Sequence, residues 1–342
     1  MTTGFVYDPI FLEHDTGSHP ENGSRMTATM SLLEECGLLG KLRRIPVRAA
    51  TPEELVLVHD ARYVAGVRRV GEEGGGWVDP DTLITPRSYD VASHAVGGTL
   101  NALETVMRGG VSSAYCLVRP PGHHATPMQA MGFCLFNHVA IAAAYALERY
   151  GLERVAIVDY DVHHGNGTQE AFYADPRVLY VSTHEYPFYP GTGAAEETGR
   201  GEGRGFNVNI PMPHGSGDEE HRRAFEEVVE PVLRRFRPQL IVVSAGYDAH
   251  FADEIAMQKL SVDGYGALAA IVKAAADELC GGRILVAQEG GYHLTALAWC
   301  VRRTIELLRG DEATLDPLGT VATQTPAGFE EMLGHVKGLH GL

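Results

Sequence analysis

Five short apolar runs punctuate the chain, at 113–118, 154–158, 178–182, 240–245 and 283–287. They are continuous rather than alternating, as expected of strands buried on both faces. Longer helical patterns fall around them, at 24–35, 88–107, 139–149, 219–235, 262–279 and 294–308. This alternation predicts a mostly parallel sheet flanked by helices, an α/β fold. The 342 residues and 44% hydrophobic content suffice for one large domain with a substantial core. The segments 16–25, 71–86, 183–204 and 250–260 read as long loops. Gly199, Gly201, Gly203 and Gly205 alternate with polar residues, but no strand leads into them, so they are not a dinucleotide fingerprint.

The informative pattern lies where the runs end. After 113–118 comes Arg119-Pro120-Pro121-Gly122-His123-His124. After 154–158 comes Asp159-Tyr160-Asp161-Val162-His163-His164. After 240–245 comes Gly246-Tyr247-Asp248, and after 283–287 comes Gln288-Glu289-Gly290-Gly291-Tyr292. In open α/β sheets the ligand crevice lies outside the carboxyl ends of the strands, so these groups are predicted to meet. If 159–163 continues its strand, Asp159, Asp161 and His163 share one face, because side chains alternate with period two. Asp161 and His163 then suit one metal ion, with Asp248 as third ligand. Three protein ligands and an open position form a catalytic rather than a structural metal pattern. Imidazole with carboxylate suits Zn²⁺ or Fe²⁺ better than Mg²⁺. A lone His or Asp in a loop is usually only solvated. Two HH pairs, a DxD and a GGY, all at strand ends, are hard to obtain from packing needs alone. His59, His94, His214 and His221 default to surface or helix-cap roles, while His14, His19, His138, His184 and His250 carry no assignment.

Composition narrows the partners. The net charge of −16 argues against nucleic acid, which needs a positive field, and favours a cationic substrate. No apolar run approaches the length of a membrane span. The N-terminus lacks a basic stretch followed by an apolar core, so it is not a signal peptide. Five scattered cysteines without a CxxC pair suggest reduced, mostly buried thiols, hence a cytoplasmic protein.

RPPGHHA, GFCLFN, DYDVHHGNGTQ, YPGTG, SAGYDAH and EGGY, in this order, resemble the histone deacetylase superfamily, including acetylpolyamine amidohydrolases and class II-like deacetylases. The resemblance spans about 4–308, with 309–342 expected as a C-terminal extension of the same single domain, 1–342. It implies an arginase/deacetylase-like α/β domain around a mostly parallel eight-stranded sheet. Asp161, His163 and Asp248 would bind catalytic zinc. His123 and His124 would be the tandem histidines, with Asp159 orienting His123 and Asn166 behind His124. Tyr292 would donate to the substrate carbonyl. Gly132, Phe133 and Tyr189 would line a narrow channel, and Asp81 would hold the substrate at the rim. Structural potassium would bind around Asp159, Asp161, His163, Ser182 and Thr183, and again near Phe172, Asp175, Val178 and Phe206. The chain departs from the family at Asn22-Gly23-Ser24, Phe136-Asn137-His138 and Tyr160, none of which removes a catalytic group.

The implied reaction is hydrolysis of an acetyl amide, on an acetylpolyamine, another acetylated small amine or an acetyl-lysine peptide. His123, paired with a carboxylate, should be held charged, while His124, backed by a neutral amide, should exchange a proton more readily. Asp15, Glu21, Asp79, Asp81, Asp253 and Glu254 lie in loops that can ring the entrance. Two other readings compete: an arginase-type binuclear ureohydrolase, and a non-catalytic module that binds acetylated ligands. A serine hydrolase is excluded by the lack of a GxSxG elbow. A homo-oligomer is compatible with the chain.

Overall fold

The computed structural model describes residues 2–342. Ten strands occur: β1 (Thr3–Val6), β2 (Arg43–Ile45), β3 (Gly76–Asp79), β4 (Thr82–Ile84), β5 (Ser113–Cys116), β6 (Val155–Asp159), β7 (Val178–Glu185), β8 (Asn207–Met212), β9 (Leu240–Ala245) and β10 (Ile284–Gln288). Eight of them form one sheet in the order β2-β1-β5-β10-β9-β6-β7-β8. Every neighbouring pair in it is parallel. The other two, β3 and β4, form an antiparallel hairpin.

The helices are α1 (Ser24–Glu35), α2 (Pro52–Leu55), α3 (Ala61–Glu72), α4 (Ser88–Met107), α5 (His138–Tyr150), α6 (Asn166–Phe172), α7 (Asp218–Ala224), α8 (Glu230–Phe236), α9 (Val262–Cys280), α10 (Leu294–Arg309) and α11 (Phe329–His340). Their ends follow local chemistry. Asn137, Ser261 and His293 accept backbone N–H groups at the starts of α5, α9 and α10, and Gly151, Gly281 and Gly310 end the same helices in the left-handed region. The central strands β5, β6, β9 and β10 are wholly buried, which is why their sequences are apolar throughout. No described helix is long and apolar enough to cross a membrane. All five cysteines are free; four are buried and Cys36 is half-buried.

Several expectations need correction. Strands β1, β2 and β8 carry little sequence signal: β1 has four residues, β2 is Arg-Arg-Ile, and β8 alternates with asparagine and contains Pro211 at the sheet edge. The expected loop 71–86 holds the β3–β4 hairpin, and β7 runs on to Glu185. The expected helix 219–235 is broken by a π-helical turn over Phe225–Val229. Pro231 follows at the start of α8; it has no N–H to give to the preceding turn, and the π-turn accommodates that loss. The 309–342 segment returns to the body, where α11 buries Phe329, Leu333 and Val336 and packs against β8.

One ionic cluster ties the loop before α1 to the carboxyl end of the sheet. Glu21 Oε1 accepts from Arg119 Nε at 2.7 Å and from Arg25 Nη1 at 3.1 Å, all three side chains being buried. Arg119 also donates to the Phe11 carbonyl at 2.9 Å. Burial opposes ionisation of Glu21, but the two guanidiniums outweigh it and hold its pKa down at about 2. A single carboxylate thus serves two buried cations. Glu21→Ala should lower stability by about 3–5 kcal/mol, because it strands both guanidiniums. Thermal unfolding checks this, and an unchanged Tm would rule the cluster out as a stabilising element.

Candidate active site

The four strands that carry the unusual turns are neighbours at the centre of the sheet, in the order β5-β10-β9-β6. Their ends are level: Asp159 pairs with Ser244, and Gln288 with Ala245. The turns that leave them therefore converge on one spot.

Asp161, His163 and Asp248 bring three buried ligand atoms within 4.8 Å of one another. His163 Nδ1 faces Asp161 Oδ1 at 3.0 Å and Asp248 Oδ2 at 3.3 Å. They meet by a route other than the one expected. Strand β6 ends at Asp159 and the chain bends through 161–163, so turn geometry rather than strand alternation joins Asp161 to His163. Backbone amides hold the carboxylates. Asp161 Oδ2 accepts from Gly290 N at 2.8 Å, and Asp248 Oδ1 from Val162 N at 3.0 Å. Gly246 and Gly290 leave room for them: a Cβ at Gly246 would run into Asp161, and one at Gly290 into Asp248 Oδ2 and Asp161 Oδ2.

This donor set fits a divalent cation. Asp248 Oδ2 is buried without a hydrogen-bond donor. Burial and the charge of Asp161 push the Asp248 pKa up to about 6, which is the penalty for two carboxylates facing each other. A divalent cation held by Asp161, His163 and Asp248 would remove it. His123, Cys134 and Glu289 form a second close triplet. Its members are already engaged by the protein: Glu289 accepts from Gly122 N, His123 N and the Ser244 hydroxyl, and the Cys134 thiol donates to the Gly132 carbonyl.

The tandem histidines stand beside this set with ring centroids 4.0 Å apart. His123 Nδ1 donates to Asp159 Oδ2 at 3.0 Å, and the Tyr180 hydroxyl donates to the same oxygen at 3.1 Å. Burial opposes charge on His123, but Asp161 and Asp159 outweigh it and raise its pKa to about 10. His124 Nδ1 lies 2.8 Å from Asn166 Oδ1. Burial, then the charges of His123 and His163, push its pKa well down. With Nδ1–H given to the amide, Nε2 of His124 keeps a free lone pair. The two rings thus differ in charge, in the sense their partners dictate.

These groups line a cavity of about 220 Å³ together with Asp81, Gly132, Phe133, Phe188, Tyr189, Ile255 and Tyr292. Gly132 packs against the His124 ring, and Phe133 holds a left-handed φ of 68°, sparsely populated for a bulky side chain. Phe133 N donates to Thr82 Oγ1 at 3.1 Å, which fixes the channel wall to the β3–β4 hairpin. Phe188 stacks on His163 at 5.4 Å and 19°, while Tyr189 stands edge-on to His124 at 5.2 Å. Burial keeps the Tyr292 phenol protonated, its pKa lying well above the ordinary value. Arg25 sits 5.0 Å from the Tyr292 ring centroid and donates to the Gly291 and Glu289 carbonyls at 2.7 and 2.5 Å.

Some site residues have no separate signal in the sequence. Glu289 accepts from Gly122 N at 2.6 Å, His123 N at 3.2 Å and the Ser244 hydroxyl at 3.1 Å, so it aims the tandem histidines. It lies two residues beyond an apolar run, much as Asp159 follows one, and that is the clue. Arg25 and Phe188 offered none. Glu21 and Asp253 are not rim acids. Glu21 is buried between its arginines, and Asp253 Oδ2 accepts from Tyr292 N and His293 N at 2.6 and 2.9 Å. His59 and His221 are buried, not at the surface; His59 bridges the Thr126 carbonyl and Asn137 N. His164 turns away from the cavity, its Nδ1 2.8 Å from Thr192 Oγ1. Ser182 and Thr183 flank Asp159 on β7, and Thr183 Oγ1 is buried without a partner. Phe172, Asp175, Val178 and Phe206 gather instead near the start of β7, linked by Asp175 N to Phe172 O, Val178 N to Asp175 O and Tyr180 N to Phe206 O.

Comparison with known proteins bears on the family and the fold. The histone deacetylase domain matches residues 19–308. A probable deacetylase of Archaeoglobus fulgidus is 42% identical over 296 residues, covering 85% of this chain and 82% of the relative. A histone deacetylase-like amidohydrolase of Pseudomonas aeruginosa is 40% identical over 339 residues, covering 92% and 88%. The crystal structure of the HDA15 HD domain superposes with a TM-score of 0.91 at 34% identity, over 99% of this chain and 94% of that one. With its parallel sheet and its site at the strand ends, the chain belongs to the histone deacetylase family and is a deacetylase.

Proposed function

We propose that the protein is a zinc-dependent amidohydrolase that removes acetyl groups from acetyl-lysine or acetylpolyamines. The observation that carries this reading is a cavity lined by His163, the unlike pair His123 and His124, and Tyr292, with Asp161 and Asp248 clustered about His163. Asp161, His163 and Asp248 would hold the ion, and iron(II) suits the same donors. When bound, zinc supplies Lewis acidity, acidifying a water and polarising the amide carbonyl. His124 takes a proton at its free Nε2 and returns it to the leaving amine. His123, charged beside Asp159, lends electrostatic support to the anion that develops. Tyr292 donates its hydroxyl proton in a hydrogen bond to the carbonyl oxygen. Phe133, Phe188 and Tyr189 exclude water from the alkyl chain of the acetylated amine, and Asp81 engages the substrate at the mouth. Potassium would sit near Asp159, Ser182 and Thr183, where the unpartnered Thr183 Oγ1 supports an oxygen-ligated cation, and near Phe172, Asp175, Val178 and Phe206. Neither competing reading is favoured: among the described residues no second carboxylate-rich cluster adjoins the first, and each expected catalytic group is present.

Zinc-loaded protein assayed on acetylputrescine, acetylspermidine and an acetyl-lysine peptide tests the proposal, and absence of turnover on all three defeats it. Asp248→Ala should lose metal and activity together. Tyr292→Phe should keep its metal and lose about 10²–10³-fold in kcat, as when one oxyanion donor is removed. A fully active Tyr292→Phe enzyme excludes that role. Gly290→Ala should displace both carboxylates and cost about 100-fold in kcat/KM, the scale of a misplacement near 1 Å. Wild-type kinetics in that variant would show that the glycine is dispensable.

A further inference from the structure

The aromatic lining of the cavity continues beyond its mouth. Tyr292 meets Phe133 edge-on, with ring centroids 5.8 Å apart. Phe133 meets the His19 ring at 4.5 Å and 88°, and His19 meets Trp77 at 6.2 Å. Four rings therefore form a chain of contacts from the cavity-lining Tyr292 and Phe133 to the exposed Trp77. At the outer end Trp77 is 60% exposed and Val78 39% exposed. Successive strand residues normally face opposite sides, one of them covered. Here the hairpin register shifts between Trp77 and Asp79, and both neighbours remain open. An indole left in water adds little to folding, whereas apolar surface at the rim of a cavity marks a ligand contact.

The hairpin that carries Trp77 is not loose. Thr82 Oγ1 accepts from Phe133 N and donates to Asp81 Oδ1 at 3.0 Å, and Asp81 N donates to Asp79 Oδ1 at 3.1 Å. Two carboxylates thus stand at a fixed place beside the chain of rings, and no Lys or Arg neutralises Asp79 among the described residues. The net charge of −16 adds a field of the same sign. An open indole face next to uncompensated carboxylates recognises a cation.

We propose that Trp77 and His19, with Asp79 and Asp81, form an outer subsite for a second positive charge on the substrate, carried beyond the acetylated amine. The proposal rests on the deacylase reading of the cavity. Two substrates present this chemistry: an acetylpolyamine, through its distal ammonium, and an acetyl-lysine peptide with a neighbouring arginine. The subsite acts on binding, so its signature is in KM.

The test compares KM for acetylspermidine, an arginine-flanked acetyl-lysine peptide and the same peptide with a neutral neighbour and blocked ends. Wild type should favour at least one charged substrate, and Trp77→Ala should erase about fivefold of that preference. Loss confined to acetylspermidine assigns the subsite to polyamines; loss confined to the peptide assigns it to basic sequences. An unaltered KM ratio in Trp77→Ala overturns the proposal. A second readout is independent of turnover. The chain has two tryptophans, and Trp299 is half-buried beneath Arg302. In Trp299→Phe, Trp77 is the sole emitter, and its fluorescence should respond to either charged ligand and not to the neutral one. If zinc-loaded protein turns over none of the three, the deacylase reading fails, and this titration still decides the subsite: a response upholds it, and silence to both charged ligands overturns it.

Discussion

Two carboxylates facing each other in a water-poor pocket are what the rest of the molecule is arranged to tolerate. Asp161 and Asp248 repel, and burial penalises the charge on each. The chain answers with backbone N–H groups from Gly290, Val162 and His163, with glycines where a Cβ would collide, and with a donor set open to a cation. Each device needs the strand ends to be level. A parallel sheet with four adjacent site-bearing strands supplies that.

A second layer of charge sits behind the first. Glu289 holds the Gly122 and His123 amides, and Arg25 grips the carbonyls of Glu289 and Gly291. Glu21 in turn neutralises Arg25 and Arg119. Tyr292 is therefore aimed from beneath by Arg25 and along its backbone by Asp253. The phenol is placed by buried ion pairs rather than by packing alone.

The central strands and the cluster of Asp161, His163 and Asp248 were legible because apolar continuity and clustered ionisable groups are both local signals. Asp159, Asp161, His163, Asp248 and Tyr292 each follow an apolar run within a few residues. Edge strands were not legible: β2 is two arginines and an isoleucine, and β8 owes its place to pairing with β7. Nor were the buried partners. Arg25, Glu21 and Asp253 look like any exposed charge until the tertiary contacts that bury them are known. Phe188 was hidden by its neighbour Tyr189, since sequence alone does not show that both adjacent aromatics approach His163. The π-turn before Pro231 is a further case, because a proline announces a disturbance in a helix but not the form it takes.

The hydrogen bond from Gly290 N to Asp161 Oδ2 joins residues 129 positions apart. During synthesis Asp161 and His163 emerge long before the glycine turn that shapes their pocket. A nascent or truncated chain lacking that turn presents only scattered, hydrated side chains, with no preformed cradle for an ion. Assembly of this pocket is thereby linked to completion of the sheet, since its two carboxylates are held only once the turn after β10 is in place.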